Sequence, residues 1–416
     1  MHKYKPRKEK QMNSRALLIL RSLVVVFVLL AVATAVSADK QENVLRVGPG
    51  HEYESIQAAI DAAKQGSRIL VYPGTYFEAV SVTKNNLQII AEGEDVIVWP
   101  PHRPAGFQVY ADHVTIQGFR INFGGAADCT PAIDFRGSHN TFADNYLHQA
   151  IGCPGINALS SYDPDGGTDY NIIERNTIDA ADIGMEIRAD APDAINKGNV
   201  IRDNVILNAV QTPIGIANGT GFLVSGNRVF NTNFGSCINV GQVLGNRIPQ
   251  GHHTIINNTL LHCAGGGIFL YADPGSVMSH NRIAENTIHN SVGDGLSLNA
   301  YIGGTLTNNE VVSNTVSLSQ NLNGISLIAE ELTDVSDNLI QDNVVFNNYQ
   351  GGIYLTTGTE HNRILNNEAY GNDLGIYIAG DDNLIVGNRA HDNTIDLIDL
   401  GEDNLWKNNT YETTNW

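Results

Sequence analysis

Two short stretches of the chain each pair a carboxylate with an arginine two residues on. They are AIDFRG, with Asp134 and Arg136, and GMEIRAD, with Glu186 and Arg188. On an extended strand, residues two apart point to the same side. Between them, GINAL supplies Asn157, and the following segment SSYDPDGGTDY supplies Tyr162, Asp163, Asp165 and Asp169. Carboxylates and a phenol beside arginine can move a proton on a sugar ring. Arginine also grips a carboxylate through two parallel hydrogen bonds. The expected roles are therefore Tyr162, Glu186 and Arg188 in catalysis, and Asp134, Arg136 and Asn157 in substrate binding. Asp163, Asp165 and Asp169 form a cluster of oxygen donors that suits calcium. The plainer alternative is two ion pairs on a solvated face and an ordinary turn at YDPDG.

These residues need a scaffold that stacks strands in register, and the sequence repeats in that manner. An asparagine followed by an alternating apolar step recurs as NYLH at 145, NTID at 176, NVIL at 204, NRVF at 227 and NTLL at 258. It goes on through NTIH at 286, NTVS at 314, NVVF at 343, NEAY at 367 and NRAH at 388. A small residue before a short strand recurs beside it, as in GMEI, GIFL, GLSL, GISL, GIYL and GIYI. Short strands, corners and a repeat of 21 to 31 residues predict a parallel β-helix, each coil stacked on the last at about 4.8 Å. The asparagines then read as internal ladders and corners, the short amide tolerating a left-handed backbone. YESIQAAIDAAKQG at 53–66 is amphipathic, with Ser55 as N-cap and Gly66 as stop. It predicts a helix over 55–65 that closes the first coil, since an open coil end is an unpaired sheet edge. Trp406 and Trp416 are expected to cover the other end.

On these motifs the chain resembles the right-handed parallel β-helix, pectin-lyase-like superfamily, over roughly residues 45–410. It resembles in particular the surface repeat proteins grouped as carbohydrate-binding proteins and sugar hydrolases. The resemblance implies an all-β solenoid, a single-stranded right-handed parallel β-helix with an N-terminal capping helix. It also implies a glycan partner. YDPDG is similar to the Asp-Pro-His stretch of mannuronan epimerases on the same fold, but Asp165 stands where those enzymes carry His. The Arg-Pro and His-Asn-Asn stretch of pectate lyases is matched by NRIPQGHHTIINN only with altered spacing. His252 and His253 are adjacent, and on a strand they would face opposite ways, which is poor for a shared metal.

Residues 1–38 read as a signal peptide or N-terminal anchor: a basic leader, an apolar run and small residues ending at Ala38. Residues 39–416 are then the β-helix domain, outside the cytoplasm: secreted, periplasmic or on the cell surface. The chain holds 25 Lys and Arg against 44 Asp and Glu. Removing the leader takes away seven bases and one acid and leaves 18 against 43, a formal −25. Such a surface repels nucleic acid and anionic lipid, and would repel polyuronic acids too unless cations or a local basic patch intervene; membrane contact would rest on the N-terminal segment alone. Four cysteines in an exported chain predict disulfides. Cys129 and Cys153 occupy near-equivalent places on neighbouring coils, and Cys237 and Cys263 lie one coil apart. The expected function is a polysaccharide-binding protein that processes an acidic glycan as a lyase, epimerase or hydrolase. The alternative is a non-catalytic glycan-binding or structural envelope protein. No cofactor is expected beyond calcium.

Overall fold

Short strands stack in parallel because each buries one edge of its pleat and hydrogen-bonds its equals on the coils before and after. One coil shows the plan: Val277–Ser279, Arg282–Ala284, Thr287–His289 and Leu296–Ala300 follow one another around the core. The computed structural model describes residues 43–101, 105–123, 131–160, 168–190, 194–242 and 248–416. The leader, Cys129, Tyr162, Asp163 and Asp165 lie outside them. Val44–Trp416 forms one unit. Among the described residues, 15 strands from Val44–Val47 to Leu405–Lys407 build one continuous parallel sheet, each step one coil. A second extended sheet carries two further strand series, and a shorter parallel sheet from Asn196–Lys197 to Thr305–Thr307 adds a fourth strand to the middle coils. The architecture is a parallel β-helix.

The core follows from the alternation. Ile173, Ile201, Val224, Ile255, Ile283, Val311, Ile340, Ile364 and Ile385 pair in register from coil to coil, and all are fully buried. The buried residues form one continuous cluster, capped at its start by the helix Ile56–Ala62. Ile56, Ala59 and Ile60 face inward, and the Ser55 hydroxyl accepts from the Ala58 N–H at 3.2 Å. The Glu78 carboxylate accepts from the Ile56 and Gln57 N–H groups, at 2.7 and 3.0 Å. At the other end Trp406 packs on the core, donates from its indole to Asp399 at 2.6 Å, and meets Trp416 with ring centroids 5.1 Å apart.

The asparagine ladder runs unbroken from Asn145 to Asn409 through backbone N–H to amide oxygen bonds. Each amide does two further things. Asn176 Nδ2, for example, donates to the Phe142 carbonyl at 2.8 Å and to Asn204 Oδ1 at 3.0 Å. One expectation is corrected here. The ladder asparagines are not the left-handed corner residues; the residue before each one is. Asp144, Arg175, Asp203, Asn257, Glu285, Ser313, Asp342 and Asn366 all have φ between 53° and 57°. The left-handed corner thus accepts varied side chains, while the buried position after it needs an amide. A second ladder is interrupted at Phe222 and His253. Buried His253 substitutes by accepting from the Phe222 N–H at 3.3 Å and donating its own N–H to Asn281. Burial pushes its pKa down to about 4. His252 beside it is exposed, on the opposite side of the chain.

Cys237 and Cys263 form a disulfide across neighbouring coils, with Cα atoms 5.6 Å apart. Cys153 is buried, and its expected partner Cys129 is not among the described residues. Closing a loop of 26 residues limits the unfolded chain by about 3.5 kcal/mol on the chain-entropy account. A Cys237→Ala/Cys263→Ala double variant is expected to lose stability of that order in denaturant unfolding, with peptide mapping without reductant identifying the pair.

Candidate functional site

The site lies on the outward side of the last strand of each coil, where register aligns side chains into columns. Asp134 pairs with Asn157 and Asn157 with Glu186, so these three share one column. It continues through Gly215, Asn239, Phe269, Ser297, Ser326, Tyr354 and Tyr377. The neighbouring column, two residues on, holds Tyr110, Arg136, Arg188, Ala217, Gly241 and Tyr271. Six residues singled out from sequence thus divide cleanly. Asp134, Arg136, Asn157, Glu186 and Arg188 meet on this face, and Asp169 sits elsewhere, at the corner before Ile172–Glu174. There Asp169 Oδ1 accepts from the Lys197 N–H at 2.7 Å, and burial raises its pKa. Among the described residues, no three His, Cys, Asp or Glu side chains converge as metal ligands.

The two carboxylate–arginine pairs behave differently. Asp134 accepts from the Tyr110 hydroxyl at 2.8 Å and from Asn157 Nδ2 at 2.9 Å. Arg136 does not pair with Asp134. Its guanidinium lies over the Tyr110 ring, 5.4 Å from the centroid, and its side chain is exposed. The Tyr110 phenol is pushed up to about 12 by burial, by its bond to Asp134 and by that carboxylate's charge. Arg188, in contrast, lies between Glu186, at 3.7 Å, and Asp190, to which its Nε donates. Burial raises the Glu186 pKa, ahead of the lowering by the Arg188 charge, and Asp190 adds to the rise.

An ion pair at a corner of the coil makes the contrast. Arg175 binds Asp144 through two hydrogen bonds, of 2.8 and 3.0 Å, and holds that carboxyl below its ordinary range. Glu186 sits beside an arginine and is nevertheless shifted upward. A carboxyl so placed keeps its proton longer and sits closer to a useful acid/base range.

Tyr271 completes the arrangement. Its ring lies across Gly241 on the preceding coil, so closely that a methyl group at Gly241 would overlap it. The ring edges onto Tyr301, centroid to centroid 6.2 Å, and stacks with Phe269 at 5.1 Å. Burial pushes its phenol up to about 12, with Asp273, Tyr301 and Glu186 adding and Arg188 opposing. Gly215, Ala217 and Asn239 therefore form a low floor between Glu186 with Arg188 and the Tyr271 ring, which covers Gly241. Three coil steps, about 14 Å, separate Glu186 from Phe269 along the column, and the Tyr271 ring reaches back over one of them. The sequence reading missed Tyr271, although it follows the same outward column as Arg188. The offset from ladder asparagine to this column is 12 residues for Asn176 to Arg188, 14 for Asn227 to Gly241 and 13 for Asn258 to Tyr271. Simple counting along the repeat does not align them.

The family model for the right handed beta helix region matches residues 241–369 and 282–415. The chain is a right-handed parallel β-helix. Comparison with curated protein sequences gives no match. Among solved structures the β-helix is similar to the A-module of a mannuronan C-5 epimerase from Azotobacter vinelandii. That match has 12% identity and a TM-score of 0.59, over 86% of this chain and 94% of that one. The β-helix is also similar to XylC in its complex with xylose, at 12% identity and a TM-score of 0.56, over 88% of this chain and 86% of that one. At these identities the likeness is one of fold.

Proposed function

We propose that this protein binds an acidic polysaccharide along the column face and moves a proton on one of its sugar units at the Glu186–Tyr271 groove. The observation that carries this reading is the groove itself. The Glu186 carboxyl, its pKa raised by burial, and the Tyr271 phenol, pushed up to about 12, lie close enough for the Glu186 charge to act on the phenol, with Gly215, Ala217 and Asn239 on the coils between. Arg136, stacked on Tyr110 and exposed, offers a carboxylate-binding guanidinium two coil steps from Glu186, about 10 Å. Arg188 is held by Glu186 and Asp190, and its charge keeps the Glu186 proton exchangeable. Glu186 would take the proton from the carbon beside the substrate carboxylate, and the Tyr271 hydroxyl would supply one. The Azotobacter vinelandii epimerase module on this fold acts on mannuronan by its name. That fold-level analogy supports a uronate substrate. The Cys237–Cys263 bridge fits an oxidising compartment outside the cytoplasm. No helix among the described residues is long and apolar enough to cross a membrane.

Incubation with polyuronates in D₂O tests this reading, because proton removal leaves deuterium on the sugar carbon or an unsaturated end. Deuterium on the sugar carbon is the product expected with the parent protein, since the Tyr271 hydroxyl returns a proton to that carbon; an unsaturated end would mean that the hydroxyl protonates the leaving glycosidic oxygen instead. Tyr271→Phe, which keeps the ring over Gly241 and removes only the hydroxyl, is expected to slow exchange by about 10²-fold or more. Gly241→Ala is expected to do the same by displacing the ring. A parent protein that binds polyuronate yet leaves it unlabelled and uncleaved would make this a non-catalytic glycan-binding or envelope protein, its arginines and carboxylates a solvated ion-pair face.

A further inference from the structure

Six coil steps beyond Glu186 on the same column, about 29 Å away, the outward face changes character. Tyr354 and Tyr377 stack on successive coils with ring centroids 4.3 Å apart and planes within 3°. Tyr349, 67% exposed, stands beside them. With Gln350, Asp373 and Leu374 they line a cavity of about 620 Å³. The backbone around it is tied coil to coil. Tyr349 N–H donates to Ser319 at 2.8 Å, Gln350 N–H to Leu322 at 3.1 Å and Leu374 N–H to Gln350 at 2.9 Å. The cavity is thus preformed, and its size falls in the range of small-ligand sites.

We infer that this cavity is a second glycan subsite, one that takes a neutral pyranose unit rather than a uronate. Tyrosines offer apolar ring surface and hydroxyls that suit the C–H faces and hydroxyls of a sugar. The Gln350 amide and the Asp373 carboxylate supply hydrogen-bond partners for sugar hydroxyls. The lining holds one carboxylate and no lysine or arginine, so a substrate carboxylate would meet repulsion here, whereas Arg136 attracts one at the other end of the face. The inference rests on the polysaccharide reading for its ligand class, but not on catalysis. It implies a polymer of mixed acidic and neutral units, long enough to span both places.

The full chain is tested on an array of neutral and acidic oligosaccharides, with Tyr349→Ala, Tyr354→Ala and Glu186→Gln as variants. The parent is expected to bind neutral pyranose oligomers. Tyr349→Ala and Tyr354→Ala should weaken that binding tenfold or more, and Glu186→Gln should leave it unchanged. Tyr349 is too exposed for its truncation to unfold the protein, so its variant guards against a folding artefact. If the parent binds no neutral oligomer, or if the tyrosine variants bind as the parent does, the inference is overturned, whatever the D₂O experiment shows. If neutral binding is lost in the tyrosine variants while no deuterium is ever incorporated, the subsite stands and the catalytic reading falls.

Discussion

Glu186→Gln is expected to lower turnover of a polyuronate by about 10² to 10⁴-fold, the usual contribution of a positioned acid/base group, with little change in glycan binding. Gln keeps the shape and loses the titration. The pH dependence supplies an independent reading. Glu186 has its pKa raised by burial and by Asp190, against the lowering by Arg188. A base is active only when ionised, so activity should rise with pH through that elevated pKa, above the range of an exposed glutamate. Arg188→Ala removes the cation that opposes the rise among the described residues. The acid limb of the profile should then move to still higher pH, and turnover should collapse at neutral pH. The melting temperature should change little, because a partly exposed ion pair contributes little to stability. A profile that stays in place after Arg188→Ala would show that Glu186 is not the titrating group.

The largest effect on stability is expected from the ladder. Asn314 Oδ1 accepts from the Asn286 N–H and from Asn286 Nδ2, both at 3.0 Å, and Asn314 Nδ2 donates to the Ile283 carbonyl at 2.9 Å. Asn314→Ala strips partners from these three groups in a position closed to water. Each unsatisfied buried group costs about 1–3 kcal/mol; Asn286 Nδ2 keeps its bond to the Ile255 carbonyl, so the other two groups set the loss at no less than about 2 kcal/mol. In a solenoid each coil touches only its neighbours. Hydrogen exchange should therefore accelerate first at the strands around Asn286, Asn314 and Asn343, before the terminal coils respond. Asn409→Ala, at the half-buried end of the same ladder, should cost much less. Equal losses at the two positions would mean that burial of the hydrogen-bonded amides is not what stabilises the coil.

The β-helix was legible in the sequence because its physics is local and periodic. Asparagines at spacings of 21 to 31 residues, each followed by an alternating apolar step, define the coil. The alternation identifies the inward residues, and Ser55 with Ile56, Ala59 and Ile60 marks the capping helix. Asp134, Arg136, Asn157, Glu186 and Arg188 could be assigned to one outward face, since period two decides which side of a strand a residue takes. The Cys237–Cys263 bridge followed from one-coil spacing. The tertiary structure decided how those side chains are used. Arg136 turns onto Tyr110 and not onto Asp134, because a ring in register on the preceding coil competes for the guanidinium. Arg188 is shared with Asp190, which lies on its own chain just beyond the strand. Tyr271 reaches the groove only because Gly241, distant in sequence and adjacent in space, leaves room for its ring. The corner before this strand series carries a ladder on the later coils, from Ser319 through Asn348 and Asn372 to Asn393, whereas on the coil before Glu186 the register shifts between Ala150 and Pro154. Coil length thus varies, and only the stacked backbone brings Glu186, Gly241 and Tyr271 together.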